Sequence, residues 1–255
     1  MIYASDLDRT LIYSQTFLDM HPTESKTILV DKSKVNSYMT EEVANLLEEV
    51  NNHKKIRFIP VTTRSEAEYK RVQFKGIVPE YAIVASGATI LHNGELMQEW
   101  EDYLNPQLNI DELKMLVNEF NNLESTNYES KIIDGAYVFS KSGDIAKTKV
   151  ELNALREKYP QYKFYLDKHK VYAIPNCFGK GITLKWLKQY LDEKFIIASG
   201  DTTFDMPMLQ EADLAIIPSH KTIKEDELKE LAYVEIKGGA DSPVTTLNIV
   251  KHYVE

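Results

Sequence analysis

The chain has little of what braces a secreted or membrane-bound protein. Its 255 residues include one cysteine, Cys177, so no disulfide can close within it and a reducing compartment is expected. No apolar stretch reaches the ~20 residues needed to span a bilayer. The N-terminus lacks a basic segment followed by an apolar one, and Asp6 interrupts it early, so no signal peptide is expected. Together these absences point to a cytoplasmic protein. Positive charge is also short: 30 Lys and Arg face 39 Asp and Glu, a net charge of -9. That balance argues against nucleic acid or an anionic membrane as a main partner, since both need a basic face, and leaves room for a local basic pocket that takes a small anion. No internal repeat or low-complexity segment is present.

What is there is an alternation of short apolar runs and helical patterns. Hydrophobic residues make up 43%, enough for one large core or two modest ones. "MIYAS" at the N-terminus, "IRFIPV" (56–61), "YAIVAS" (81–86), "KFIIAS" (194–199), "DLAIIP" (213–218) and "AYVEI" (232–236) read as strands. Val43, Leu46, Leu47 and Val50 keep helical spacing behind Thr40 as N-cap, and "GITLKWLKQYL" (181–191) reads as a second helix. Short buried strands separated by helices predict an α/β fold, a doubly wound Rossmann-like parallel sheet covered on both faces.

The middle of the chain has another texture. "TILHNGELMQEW" (89–100) carries Asn93-Gly94 between apolar runs, a hairpin signal. A helix with Leu113, Leu116, Val117 and Phe120 follows, then a strand "AYVFS" (136–140). A helix from Ile145 to Tyr159 is stopped by Pro160, and the strands "KFYL" and "KVYAIP" flank a Lys168-His169 turn. The expected organisation is a core of 1–85 and 177–255 with an inserted α+β domain over 86–176. The polar stretch 21–38 reads as a flap or a loop.

In parallel α/β sheets ligands bind beyond the C-terminal ends of the strands, and four such ends carry chemistry. Asp6 and Asp8 follow the first strand, Thr62 follows the second, Lys180 opens the helix after the insert, and Asp201 and Asp205 follow the strand "KFIIAS". A hard divalent cation such as Mg²⁺ takes oxygen ligands, which Asp6 and Asp201 can supply. A phosphate beside it would be met by the Lys180 ammonium, the Thr62 hydroxyl and free N–H groups of a helix N-terminus. One carboxylate of the set can attack phosphorus, and another can pass a proton to the leaving oxygen and take one from water. A like-charged neighbour raises the pKa of that second acid, while a cation opposes the rise.

Taken in order, these stations resemble the four motifs of the haloacid dehalogenase (HAD) superfamily of phosphatases. "DLDRT" is similar to its Asp-x-Asp-x-Thr motif, "VTTR" (61–64) to its Thr-Gly-Arg, Lys180 in "GKG" to its third motif, and "GDTTFD" (200–205) to its Gly-Asp-x-x-x-Asp. An insert between the second and third motifs resembles the C2-capped branch, with Cof-type and sucrose-phosphatase-like members, and "ASGATI" (85–90) resembles the turn that opens the cap there. The resemblance implies Asp6 as nucleophile. It implies Asp8 as general acid and base, with its backbone carbonyl on Mg²⁺. Thr62 and Lys180 would hold phosphate, and Asp201 and Asp205 would serve the metal, the latter directly, through water or by orienting Lys180. It also places substrate choice in the cap. Two positions depart from the pattern: Thr63 stands where glycine is usual, and Phe204 where asparagine is common.

Singly, each residue has an ordinary explanation. Asp6 and Asp8 suit a solvated turn, Thr62 and Asp205 suit helix caps, Lys180 suits a surface, and Arg64 suits loop ordering. The expected activity is Mg²⁺-dependent hydrolysis of a small phosphorylated metabolite, a sugar phosphate foremost, through an aspartyl-phosphate. The alternatives are a phosphomutase of the same superfamily and a non-catalytic phospho-ligand or signalling module.

Overall fold

Ile2–Ser5 is buried at all four positions because it has a parallel partner on each side. In the computed structural model, which describes Met1–Val254, the strand pairs with Ile196–Ser199 on one flank and Arg57–Pro60 on the other. Glu255, the end of the expected second core segment, lies outside the described residues. The five-stranded sheet runs Tyr233–Ile236, Leu214–Pro218, Ile196–Ser199, Ile2–Ser5, Arg57–Pro60, every pair parallel. A parallel bridge between Val61 and Ile83 continues it to Tyr81–Val84.

Strand side chains alternate between faces. Tyr3, Phe58, Ile197, Ile216 and Ile236 join Val43, Ala44, Leu47 and Val50 of helix Glu41–Asn51 and Leu247 and Val250 of helix Ser242–His252 in one core cluster. Each fully buried Val, Leu, Ile or Phe side chain among them contributes roughly 1.5–3 kcal/mol. Helices Lys180–Tyr190 and Met206–Gln210 contribute nothing to that cluster. They pack against each other and against the sheet, so they cover its opposite face. Thr40 caps Glu41–Asn51 as its sequence predicts, its Oγ1 accepting from Val43 N at 3.3 Å. The polar stretch 21–38 is a flap. Thr27–Asp31 and Ser37–Thr40 form an antiparallel hairpin, and Tyr13–Ser14 adds a third strand to it.

The chain divides into two compact units, Met1–Met97 with the segment from Lys180 onward, and Gln98–Gly179. Sequence placed the breaks near 85/86 and 176/177. The first falls later because the hairpin Thr89–His92/Glu95–Leu96 pairs with Tyr81–Val84 and stays with the parallel-sheet unit. Within the second unit an antiparallel sheet runs Tyr162–Asp167, Lys170–Pro175, Tyr137–Lys141, Lys131–Ile133. Helices Ile110–Asn122 and Ile145–Lys158 cover it through Leu113, Leu116, Phe120, Leu152 and Leu155. Among the described residues no helix is long and apolar enough to cross a membrane.

Candidate active site

The first strand delivers Asp6 to the interior and Asp8 to the surface. Asp6 N extends the ladder to Ser199 O at 2.9 Å. The chain then turns tightly about Leu7, whose carbonyl accepts from Thr10, Leu11 and Ile12 N–H at 3.1, 2.8 and 2.9 Å. Leu7 and Leu11 are buried, and Arg9 takes the left-handed conformation at φ 70° that the turn requires. Asp6 is thereby 6% exposed, whereas the Asp8 carboxylate is half exposed.

Lys180, the first residue of its helix and 4% exposed, donates to Asp6 Oδ1 at 2.5 Å and to Asp205 Oδ1 at 2.6 Å. Gly181 makes that approach possible. A Cβ there would lie 2.1 Å from Pro207 O, in the segment that carries Asp205. Asp205 does not cap helix Met206–Gln210 with its side chain. Its Oδ2 instead accepts from Asp201 N (3.1 Å), Thr202 N (2.9 Å) and Thr202 Oγ1 (2.9 Å), binding its own loop into a ring. Gly200 leaves room for this, since a Cβ there would sit 2.5 Å from Asp205 Cβ. Asp201 is wholly buried, and its Oδ1 accepts from Thr10 Oγ1 at 3.4 Å. Its Oδ2 lies 3.3 Å from Arg9 Nε, a charge contact without hydrogen-bond geometry, and so has no hydrogen-bond partner.

Asp6, Asp201 and Asp205 each bring a carboxylate oxygen to within 4.8 Å of the others. Three buried carboxylates thus share one ammonium, with Arg9 beside the set, and negative charge is in excess. Burial first, then the Asp205 charge, push the Asp6 carboxyl up to about 7, with Lys180 opposing. Burial, Asp205 and Asp6 likewise push Asp201 well above the usual carboxylate range. Burial alone would lower Lys180, but Asp205 and Asp6 outweigh it and hold the ammonium above an ordinary lysine. An excess of buried oxygen ligands with one carboxylate oxygen lacking a partner fits a hard divalent cation.

Thr62 is also wholly buried, at the end of the neighbouring strand. Its N–H donates to Ile83 O (2.9 Å) and its Oγ1 accepts from Arg64 N (3.2 Å), so it turns a loop rather than capping a helix. Thr63 is absent from the left-handed residues, so the usual glycine is not needed for backbone conformation. Asp8 stands apart from the acid cluster. Its carboxylate receives Arg64 Nε and Nη2, each at 2.8 Å. The sequence gives Arg64 a loop-ordering role and marks neither acid as its partner: besides Asp8 it holds Asp31, which accepts from Nη1 at 2.6 Å. "TILVD", an apolar run ending in Asp, repeats the pattern of "MIYASD" and carried the signal.

The family model for sucrose-6F-phosphate phosphohydrolase matches residues 1–234. Comparison with curated proteins gives no match. Among solved structures, the sucrose-phosphatase of Synechocystis, in complex with sucrose and phosphate, superposes with a TM-score of 0.70 at 15% identity, covering 100% of this chain and 98% of that one. Trehalose-6-phosphate phosphatase of Aspergillus fumigatus gives 0.61 at 11% identity, with 98% and 92% covered. A haloacid dehalogenase-like hydrolase of Bacillus subtilis gives 0.60 at 18% identity, with 98% and 99% covered. At these identities the structural likeness is one of fold.

Proposed function

The chain belongs to the sucrose-6F-phosphate phosphohydrolase family of HAD-superfamily phosphatases, and on that premise we propose that it hydrolyses a small sugar phosphate through an aspartyl-phosphate on Asp6, with Mg²⁺ as cofactor. The observation that carries this reading is Lys180, held between Asp6 and Asp205 with Asp201 alongside, at the C-terminal ends of parallel strands. Three segments far apart in sequence, carrying Asp6, Lys180 and the Asp201–Asp205 loop, converge there in a buried, charge-unbalanced cluster.

In this reading an Asp6 carboxylate oxygen attacks phosphorus as the bond to the sugar oxygen breaks. Asp8 gives its proton to that leaving oxygen, then takes one from the water that attacks the phosphoryl group. The P–O bond to Asp6 breaks and inorganic phosphate leaves. Lys180 and the Thr62 hydroxyl bind phosphate oxygens. The Asp6, Asp201 and Asp205 carboxylates and the Asp8 backbone carbonyl would hold Mg²⁺. When bound, the ion supplies the positive charge that keeps Asp6 ionised and offsets charge on the transferring group.

The substrate reading is supported by the family and by neighbours named for sucrose phosphate and trehalose-6-phosphate. It is tested by kcat/KM over a panel of mono- and disaccharide phosphates beside a phosphopeptide and an oligonucleotide. Release of inorganic phosphate from a sugar phosphate is expected. A tenfold preference, about 1.4 kcal/mol, for the phosphopeptide or oligonucleotide overturns the substrate class, and formation of an isomeric sugar phosphate replaces hydrolysis by a mutase reaction.

A further inference from the structure

A half-exposed acid that must deliver a proton to one particular oxygen needs something to aim it. Asp8 is such an acid, and the structure supplies a rigid chain of contacts behind it. Arg64 meets both Asp8 oxygens with Nε and Nη2 at 2.8 Å. The other edge of the same planar group donates from Nη1 to Asp31 Oδ2 at 2.6 Å, and Nη2 also reaches Ser37 Oγ at 3.1 Å. A guanidinium presents its donors in one fixed plane, so fixing one edge orients the other.

The anchor is firmer than what it holds. Asp31 is 2% exposed and Ser37 3%, against half exposure for the Asp8 carboxylate. Both anchoring residues come from the flap hairpin. A register shift between Leu29 and Asp31 sets Asp31 opposite Ser37, so both face the same guanidinium. Val30 packs in the core, and its carbonyl accepts from Gln73 N at 2.7 Å, which pins the strand. Arg71 Nε lies 3.5 Å from Asp31 Oδ1, an oxygen with no hydrogen-bond partner. A buried carboxylate with so loose a second contact is expensive to keep. Pure packing would favour an apolar residue there.

We propose that Asp31 is a positioning residue: by anchoring Arg64 it fixes the direction in which Asp8 presents its proton to the leaving oxygen, which makes the flap hairpin part of the catalytic apparatus. This rests on the reading of Asp8 as general acid.

The test uses the full chain with Mg²⁺ and two substrates, a sugar phosphate with a poor alkoxide leaving group and p-nitrophenyl phosphate, whose leaving group needs little protonation. General acid catalysis contributes about 10²–10⁴-fold, so misaiming should cost roughly tenfold or more in kcat on the sugar phosphate beyond any loss on the aryl phosphate. Asp31→Asn is expected to show that split, and adding it to Asp8→Asn should change the remaining rate on the sugar phosphate by less than about twofold, because residues acting as one unit are non-additive. Arg64→Lys keeps the charge but removes the two-edged plane. It should show the same split and covers the case in which Asp31→Asn does not fold. Equal losses on both substrates, or losses that multiply in the Asp8→Asn background, would make Asp31 structural and overturn the proposal. If Asp8→Asn itself shows no split while Asp6→Asn is dead, the proton-donor reading fails and takes this one with it.

Discussion

Lys180 Nζ lies 2.5 Å from Asp6 Oδ1 although 174 residues separate the two in the chain. Its second contact, 2.6 Å to Asp205, makes it the ammonium that three clustered buried acids share. Replacing it by Met should leave those acids uncompensated. Removing one partner of a buried pair costs about 3–5 kcal/mol. Lys180→Met is therefore expected to lower metal-free stability by that order at pH 8, with much of the loss recovered near pH 5 as the acids take up protons. Urea denaturation at the two pH values measures it, and equal losses at both would show that Lys180 does not balance the acids.

The pH dependence of the metal-free wild type follows from Asp6. Its carboxyl is pushed from an ordinary 3.8 up to about 7 in the folded chain, chiefly by burial and by Asp205. The folded state holds this proton over a range in which the unfolded chain has released it. Its contribution to stability is complete below the unfolded value and is lost as pH rises through 7. Tm of metal-free protein should fall between pH 5 and pH 8. Asp201→Asn should raise Tm at pH 8, since it removes a buried like charge from beside Asp205 and Asp6. Mg²⁺ should stabilise the wild type at pH 8 and the variant far less. A wild-type Tm that climbs steadily to pH 8 without metal contradicts this.

Chemistry on phosphate monoesters must lower a barrier by on the order of 20 kcal/mol, so loss of the attacking carboxylate should be absolute. Asp6→Asn is expected to fold and bind Mg²⁺ weakly, with no detectable phosphate release. Wild type should stop in EDTA and resume with Mg²⁺. Turnover by Asp6→Asn, or full activity in EDTA, would remove Asp6 or the cation from the mechanism.

Asp6 and Asp8 should also separate by intact mass. With an aryl phosphate, Asp8→Asn can still be phosphorylated but should lose the phosphoryl group slowly, for want of a base to activate water. A phosphorylated mass is expected for Asp8→Asn and none for Asp6→Asn. Labelling of both would show the two roles to be wrongly divided.

Gly200 is the least conspicuous residue of the site. A Cβ there would lie 2.5 Å from Asp205 Cβ and 2.7 Å from its carboxyl carbon, so Gly200→Ala must displace the side chain that binds Lys180 and the Asp201 loop. Overpacking of this kind costs about 1–3 kcal/mol. The expected outcome is that loss of stability together with at least a tenfold fall in kcat and weaker Mg²⁺ binding by calorimetry. Unchanged metal affinity would mean that Asp205 is not held where the hydrogen bonds suggest.

Much of the parallel core was legible. "MIYAS", "KFIIAS" and "DLAIIP" fall on buried strands because a strand covered on both faces must be apolar throughout. Thr40 announces its helix through a local hydrogen bond. The order of acids and amine along the chain singled out Asp6, Lys180, Asp201 and Asp205, which the fold brings together. The hairpin at 89–96 was legible in Asn93-Gly94, whose left-handed φ values turn the chain between its strands; less legible were its pairing back onto Tyr81–Val84 and the flap, whose polar composition suits a strand or a loop equally.

By itself the sequence determined which residues sit at strand ends, because alternation, helical spacing and caps depend on neighbours a few positions away. Tertiary structure alone decided what those residues meet. Asp205 could have capped its own helix, yet folding turned it onto Lys180 and the Asp201 loop. Arg64 could have faced solvent, yet it joins Asp8 to an Asp31 33 residues away. Such pairings follow no local period. They exist only once the flap and the strand ends have closed on one another, where burial makes an unpaired charge costly and so selects the arrangement that pairs it.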